Sequence, residues 1–271
     1  MEPLITINQA VGSFRDLING AILESGDKGK EAMIRSSRPI QYLHDAVKSE
    51  FIRLGIERNR IFPPLGQTKP ELELAGFFKK KNQDVCIKPT GINPTPIKLT
   101  DGLLLNETDY FGIPFTEKTI SINVRSQISS LAKNFDTLYE RTFAEALNLH
   151  TRCPKIVMGE VYMIAVPEYD SDACKYKEVV YQNKTGTVEK YIKSFQAING
   201  RPDPTKHEYK YERACLLIVD FSKTPVKIFN TDEELKQAGL LPKASTASIA
   251  ELTWDTFTSR IIEIHQARFR V

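Results

Sequence analysis

The chain is poor in cysteine. Its four cysteines, Cys86, Cys153, Cys174 and Cys215, lie far apart among 271 residues, and no Cys-X-X-Cys pair occurs. That spacing argues against a zinc cluster or a disulfide scaffold and suits a reducing cytoplasm. No apolar run approaches the roughly 18 residues that a membrane span needs, so no membrane association is expected. Glu2 and the polar residues soon after it do not suit a signal peptide. The chain has no glycine-rich phosphate loop and no nucleophile elbow, which leaves a metabolic α/β enzyme without support. Repeats and low-complexity tracts are absent. Charge of one sign is also missing, since 37 Lys and Arg stand against 34 Asp and Glu, a net +3. Any site for a polyanion must therefore come from local charge distribution.

What is present suits a folded α/β chain. Hydrophobic residues make up 41% of it, enough for a sizeable core. Apolar spacing predicts a helix over 10–23, a turn at Gly26–Gly29 and a second helix over 39–54, with Pro39 in its first turn. Residues 71–78 and 83–88 read as two strands of a hairpin around a polar turn at 79–82. Residues 119–125 read as a third strand, with Ile120, Ile122 and Val124 on one face and Asn123 and Arg125 on the other. A long helix is expected over 128–149, its apolar face including Phe135, Leu138, Thr142 and Ala146. The nearly continuous apolar run 155–166 reads as a buried strand parallel to the third. Further on, helices are expected at 188–199, 232–238 and 248–266, with strands at 214–221 and 226–229.

The order helix, three strands, helix, strand carries chemical information. Over residues 38–166 it resembles the PD-(D/E)XK nuclease superfamily. That resemblance implies a carboxylate on the second strand and an acid and a lysine two residues apart on the third. Residues i and i+2 on a strand point the same way, so both can face one metal site. Asp84 stands at the first position. At the second, Ile122-Asn123-Val124-Arg125-Ser126-Gln127 has the shape of the motif, with Asn123 for the acid and Arg125 for the lysine. Arginine stays protonated, so it can stabilise phosphate charge but is a poor base. The run NVRSQISSLAKNFDTLYERTFAEALNLH, followed by GEVYMI and PEYD, is similar to a group of type II restriction endonucleases.

In one branch of those enzymes the second carboxylate comes from the following helix. Glu140 occupies such a position, with 14 residues between it and Arg125. The expected site therefore has Asp84 and Glu140 on Mg²⁺, Glu73 as a further ligand and Arg125 at the phosphate. Asn123 and Gln127 would orient water or DNA. A competing layout uses Glu73, Asp84 and Lys88 of the hairpin alone, and Glu160, Glu168 and Asp170 form a third acidic source. Lys79, Lys80, Lys81, Lys190, Lys193 and Arg201 are the candidate DNA contacts, the last three in a basic, tyrosine-containing stretch over 175–213. The blander reading of the three consecutive lysines is a soluble turn.

The sequence thus predicts an α/β nuclease, a mixed central sheet flanked by helices in a restriction-endonuclease-like αβββαβ core, with additional C-terminal strands and helices. It reads as a single nuclease domain over 1–271. Helices fill 1–60, the catalytic core 61–170, and recognition and dimerisation elements 171–271. The expected activity is Mg²⁺-dependent cleavage of double-stranded DNA at a specific short sequence in a bacterial or archaeal cytoplasm. Cutting both strands calls for a homodimer or a heterodimer with a related subunit. The rival readings are a catalytically degenerate DNA-binding protein on a nuclease fold, or a DNA repair nuclease.

Overall fold

The computed structural model describes residues 2–182 and 187–270. Its helices are α1 (Ile7–Arg35), α2 (Arg38–Arg53), α3 (Ile113–Glu117), α4 (Phe135–Arg152), α5 (Ser171–Lys175), α6 (Val188–Ile198), α7 (Asp232–Gln237) and α8 (Trp254–Phe269). The strands are β1 (Ile61–Phe62), β2 (Glu73–Ala75), β3 (Lys80–Asn82), β4 (Val85–Ile87), β5 (Ile97–Lys98), β6 (Thr108–Asp109), β7 (Ile120–Gln127), β8 (Val157–Ala165), β9 (Arg213–Asp220) and β10 (Lys227–Phe229).

Six strands form the central sheet in the order β1-β4-β7-β8-β9-β10. Strands β1, β4 and β7 run antiparallel in turn. Helix α4 then carries the chain to β8, which is parallel to β7, and β9 is parallel to β8. The sheet is therefore mixed, as expected. Helices cover both faces. Residues of α1, α2 and α8 pack on Ile120, Ile122, Val124, Val157 and Val161. The opposite face, with Met158, Tyr162, Ile164 and Leu216, is covered by α4 and α6. Strand β8 is buried along its whole length because both faces are covered. Among the described residues no helix is long and apolar enough to cross a membrane.

Three expectations need correction. The first concerns the hairpin. Glu73–Ala75 pairs with Lys80–Asn82, not with the strand that follows. Val85–Ile87 instead enters the central sheet between β1 and β7. The chain reverses earlier than polarity suggests, because Gly76 N–H closes a tight turn on Lys79 O at 3.0 Å. The second concerns α4, which starts at Phe135 rather than 128. Ser130 adopts a left-handed backbone (φ 54°), which no helix interior accepts. The third concerns α1, which runs on past the expected turn. It bends at Gly26 (φ 68°, ψ −149°), where a Cβ would come within 2.9 Å of Cys174 O. Glycine permits both the conformation and the close approach.

Candidate active site

Alternation along β7 and β8 sorts their side chains. On the α4 side β7 presents Ser121, Asn123, Arg125 and Gln127, and β8 presents Met158, Glu160, Tyr162 and Ile164. Asn123 and Glu160 are register partners, as are Arg125 and Tyr162. Asp84 directly precedes β4, whose Val85 pairs with Ile122. Its Oδ2 accepts the Val124 N–H at 2.9 Å. Asp84, Asn123 and Glu160 therefore stand at one level across three adjacent strands.

Arg125 is the hub. Its Nη1 donates to Glu160 Oε1 at 3.1 Å and to Thr142 Oγ1 at 3.0 Å, and its Nη2 lies 2.8 Å from Glu145 Oε2. Lys81, reaching in from β3, pairs with the same Glu145 oxygen and lies 3.5 Å from Asn123 Oδ1. Asn123 Nδ2 donates to the Tyr211 hydroxyl at 3.1 Å, and Tyr211 in turn donates to Thr142 O at 2.6 Å. Two carboxylates and two cations thus share one place beneath α4, with Asp84 at the same level on the neighbouring strand.

Glu160 is the unusual member. It is fully buried, and its Oε2 has no hydrogen-bond partner among the described residues. Leaving a buried acceptor unpaired is costly, so the arrangement is not one that folding alone would favour. Burial pushes the carboxyl up to about 7. Arg125 opposes that rise, while Glu145 and Asp84 add to it. Burial also works to raise Glu145, but Arg125 and Lys81 outweigh it and hold that carboxyl below its ordinary value. Burial disfavours the Arg125 charge, yet Glu160 leads a group of neighbours that keep it firmly protonated.

Of the expected site residues, Asp84, Asn123 and Arg125 come together. Glu140 does not join them. It is exposed on α4, whereas Glu145 faces the sheet. At 3.6 residues per turn, Glu140 lies about 160° around the helix from Thr142, and Glu145 only about 60°. Glu73 is exposed on β2. The Gln127 amide is committed elsewhere. It donates to Ser130 O at 3.1 Å and accepts from Tyr162 at 3.0 Å and from Tyr191. The hairpin-only layout is not assembled either, because Lys88 Nζ lies over the Phe62 ring, 5.2 Å from its centroid. Glu168 accepts the Leu131 N–H at 3.4 Å, and Asp170 caps α5.

The basic residues divide in the same way. Lys81 belongs to the site, and Lys79 is exposed beside it. Lys80 pairs with Glu107, Lys190 with Asp136 and Lys193 with Glu189. Arg201 is buried, donates to Pro154 O at 2.8 Å and pairs with buried Glu212. It holds the fold and is not available to DNA. Part of the basic stretch, 183–186, lies outside the described residues. Glu145, Thr142 and Tyr211 were not foreseen as site residues. The available signal was Glu145 flanking the apolar stripe of α4.

Among the described residues, no three His, Cys, Asp or Glu side chains are grouped as an ion cage. Mg²⁺, however, is commonly held by one or two carboxylates, with water and substrate phosphate completing its shell. The unpartnered Oε2 of Glu160 and the carboxylate of Asp84 fit that requirement in donor type. No protein-family model, no curated protein and no solved structure matches the chain.

Proposed function

We propose that this chain is a Mg²⁺-dependent endodeoxyribonuclease of the type II restriction kind, cutting double-stranded DNA at a specific short sequence. The observation that carries the reading is the cluster of Asp84, Glu145, Glu160, Lys81 and Arg125 on an antiparallel β1-β4-β7 meander followed by the α4 crossover. The resemblance places its acids at this end of the sheet, and the reading keeps that position while moving the second carboxylate from the third strand to β8 and α4.

Asp84 and Glu160 would hold the ion in this reading. When bound, Mg²⁺ supplies charge neutralisation at the phosphate and a more acidic water. The protein's own groups do the rest. Arg125, always protonated, steadies negative charge on the phosphate oxygens. Lys81 takes the part of the absent motif lysine and orients the attacking water. Glu145 holds both cations in place, and Tyr211 anchors Asn123 beneath α4. Recognition falls to residues 171–271. A homodimer or a heterodimer with a related subunit cuts both strands, in a bacterial or archaeal cytoplasm.

One feature favours a second reading, a degenerate DNA-binding protein. Arg125 occupies the lysine position and is already engaged by Glu145 and Glu160. Incubation of supercoiled plasmid with the protein and Mg²⁺ separates the two. Discrete fragments that disappear with Asp84→Ala and Glu160→Gln support the nuclease. Retarded but uncut plasmid supports the second reading, and neither effect rejects both.

A further inference from the structure

The β2–β3 turn carries two exposed aromatic rings. Phe77 is 39% and Phe78 44% accessible, and their centroids lie 5.1 Å apart at 84°. Neither ring belongs to the buried core, and each leaves about two fifths of its surface to solvent, with one edge of Phe77 facing Gly102. The turn is nevertheless held firmly. Asn148, buried on α4, accepts the Phe77 N–H at its carbonyl (2.8 Å) and the Phe78 and Lys79 N–H groups at Oδ1 (2.8 and 3.1 Å). Its Nδ2 donates to Lys79 O at 3.1 Å. At Gly76 a Cβ would stand 2.2 Å from the same side chain, so only glycine allows this approach.

A clamped turn that projects apolar rings has the form of a wedge. Its charge setting names the occupant. Lys79 beside the rings is exposed and makes no ion pair among the described residues, and Lys81 on the same hairpin enters the candidate site. A cation beside an exposed ring suits a stacked, phosphate-flanked base.

We propose that Phe77 and Phe78 insert between base pairs of the DNA duplex presented to the site, which rests on the nuclease reading above. Phe78 and Lys81 are three residues apart on one hairpin, Phe78 in its turn and Lys81 on β3. That places the unstacked step within a few base pairs of the candidate site. The insertion kinks and unwinds the duplex and draws its backbone against the β3 edge.

The test uses the full chain with Ca²⁺ in place of Mg²⁺. Binding to a mixed-sequence 40-base-pair duplex is read by fluorescence anisotropy. Unwinding is read as the linking-number change of closed circular plasmid relaxed by a topoisomerase in the protein's presence. The wild type is expected to bind and to lower the linking number. Phe77→Ala/Phe78→Ala is expected to bind on the order of tenfold more weakly and, at saturation, to leave the linking number unchanged. Asn148→Ala, which keeps the rings but frees the turn, is expected to show a reduced change.

Equal linking-number changes in wild type and double variant overturn the wedge and leave the nuclease reading intact. So does wild-type binding without any change. A double variant that alters only sedimentation makes the rings a contact between copies of the chain, and again overturns the wedge. A folded wild type that fails to bind duplex removes both readings.

Discussion

Arg125 Nη1 lies 3.1 Å from Glu160 Oε1, and the second oxygen of that carboxylate is buried without a partner. The pair satisfies one oxygen of the carboxylate and leaves the other without a partner, and several consequences can be measured.

Glu160 makes stability depend on pH in an unusual direction. Its folded value, about 7, lies above the ordinary 4.5. The native state therefore keeps a proton that the unfolded chain releases between these values. The stabilisation is complete below about pH 4.5 and is lost as pH rises to about 7. Glu145 and Glu212, held below their ordinary values, act in the opposite sense at lower pH. The clean readout is a difference. In EDTA, wild type should lose stability relative to Glu160→Gln between pH 5 and 7.5, measured by denaturant unfolding. Parallel curves for the two proteins would reject the assignment.

Removing Arg125 should leave Glu145 and Glu160 facing each other. Breaking a buried pair in this way costs about 3–5 kcal/mol. Arg125→Ala should therefore unfold much earlier in urea than wild type. Adding Glu160→Gln should recover part of the loss, since one of the stranded charges is gone. Strict additivity in this double-mutant cycle would show that the two side chains do not interact.

Lys81→Ala tests which cation serves the reaction. If Lys81 stands in for the motif lysine, plasmid cleavage should fall about 100-fold or more, with thermal unfolding little changed. Cleavage at the wild-type rate would move that role to Arg125.

Arg201 provides a contrast with Lys79. Arg201→Ala should cost about 3 kcal/mol, because buried Glu212 loses a partner. It should leave the salt dependence of DNA binding unchanged. Lys79→Ala should leave stability unchanged and lower the slope of log K against log salt by about 1. The opposite pattern would place Arg201, not Lys79, on the DNA.

The clamp at the β2–β3 turn can be tested separately. In Gly76→Ala the new methyl must displace Asn148, whose side chain is fixed by the turn's backbone. Loss of those bonds should cost about 1–3 kcal/mol and open residues 76–81 to proteolysis. Unaltered digestion there would show that the turn does not depend on Asn148.

The β7-α4-β8 unit was legible because its signals are long. Ile120, Ile122 and Val124 alternate, and the β8 run is apolar almost throughout. The hairpin was not, because β2, β3 and β4 are three residues each and alternation over three residues hardly differs from chance. The turn between β2 and β3 is clamped by Asn148, a distant residue with no local signature. Lys81 looked like one of three turn lysines, yet β3 aims it inward. Glu140 is chosen on its spacing from Arg125 alone, although the helical wheel turns it away from the sheet. Glu160 carried the strongest unused signal, a lone carboxylate inside an apolar strand.

Strand β9 and Tyr211 complete the surroundings of Glu160, and both follow β8 in the chain. During synthesis β8 is therefore a sheet edge until the ribosome has delivered them. On such an unfinished chain the Glu160 carboxylate lacks the cover that β9 and Tyr211 give it and lies closer to water. Its burial is completed when the last parallel strand docks. A fragment ending before Tyr211 thus holds every charged partner of Glu160 but not the strand that seals it from solvent.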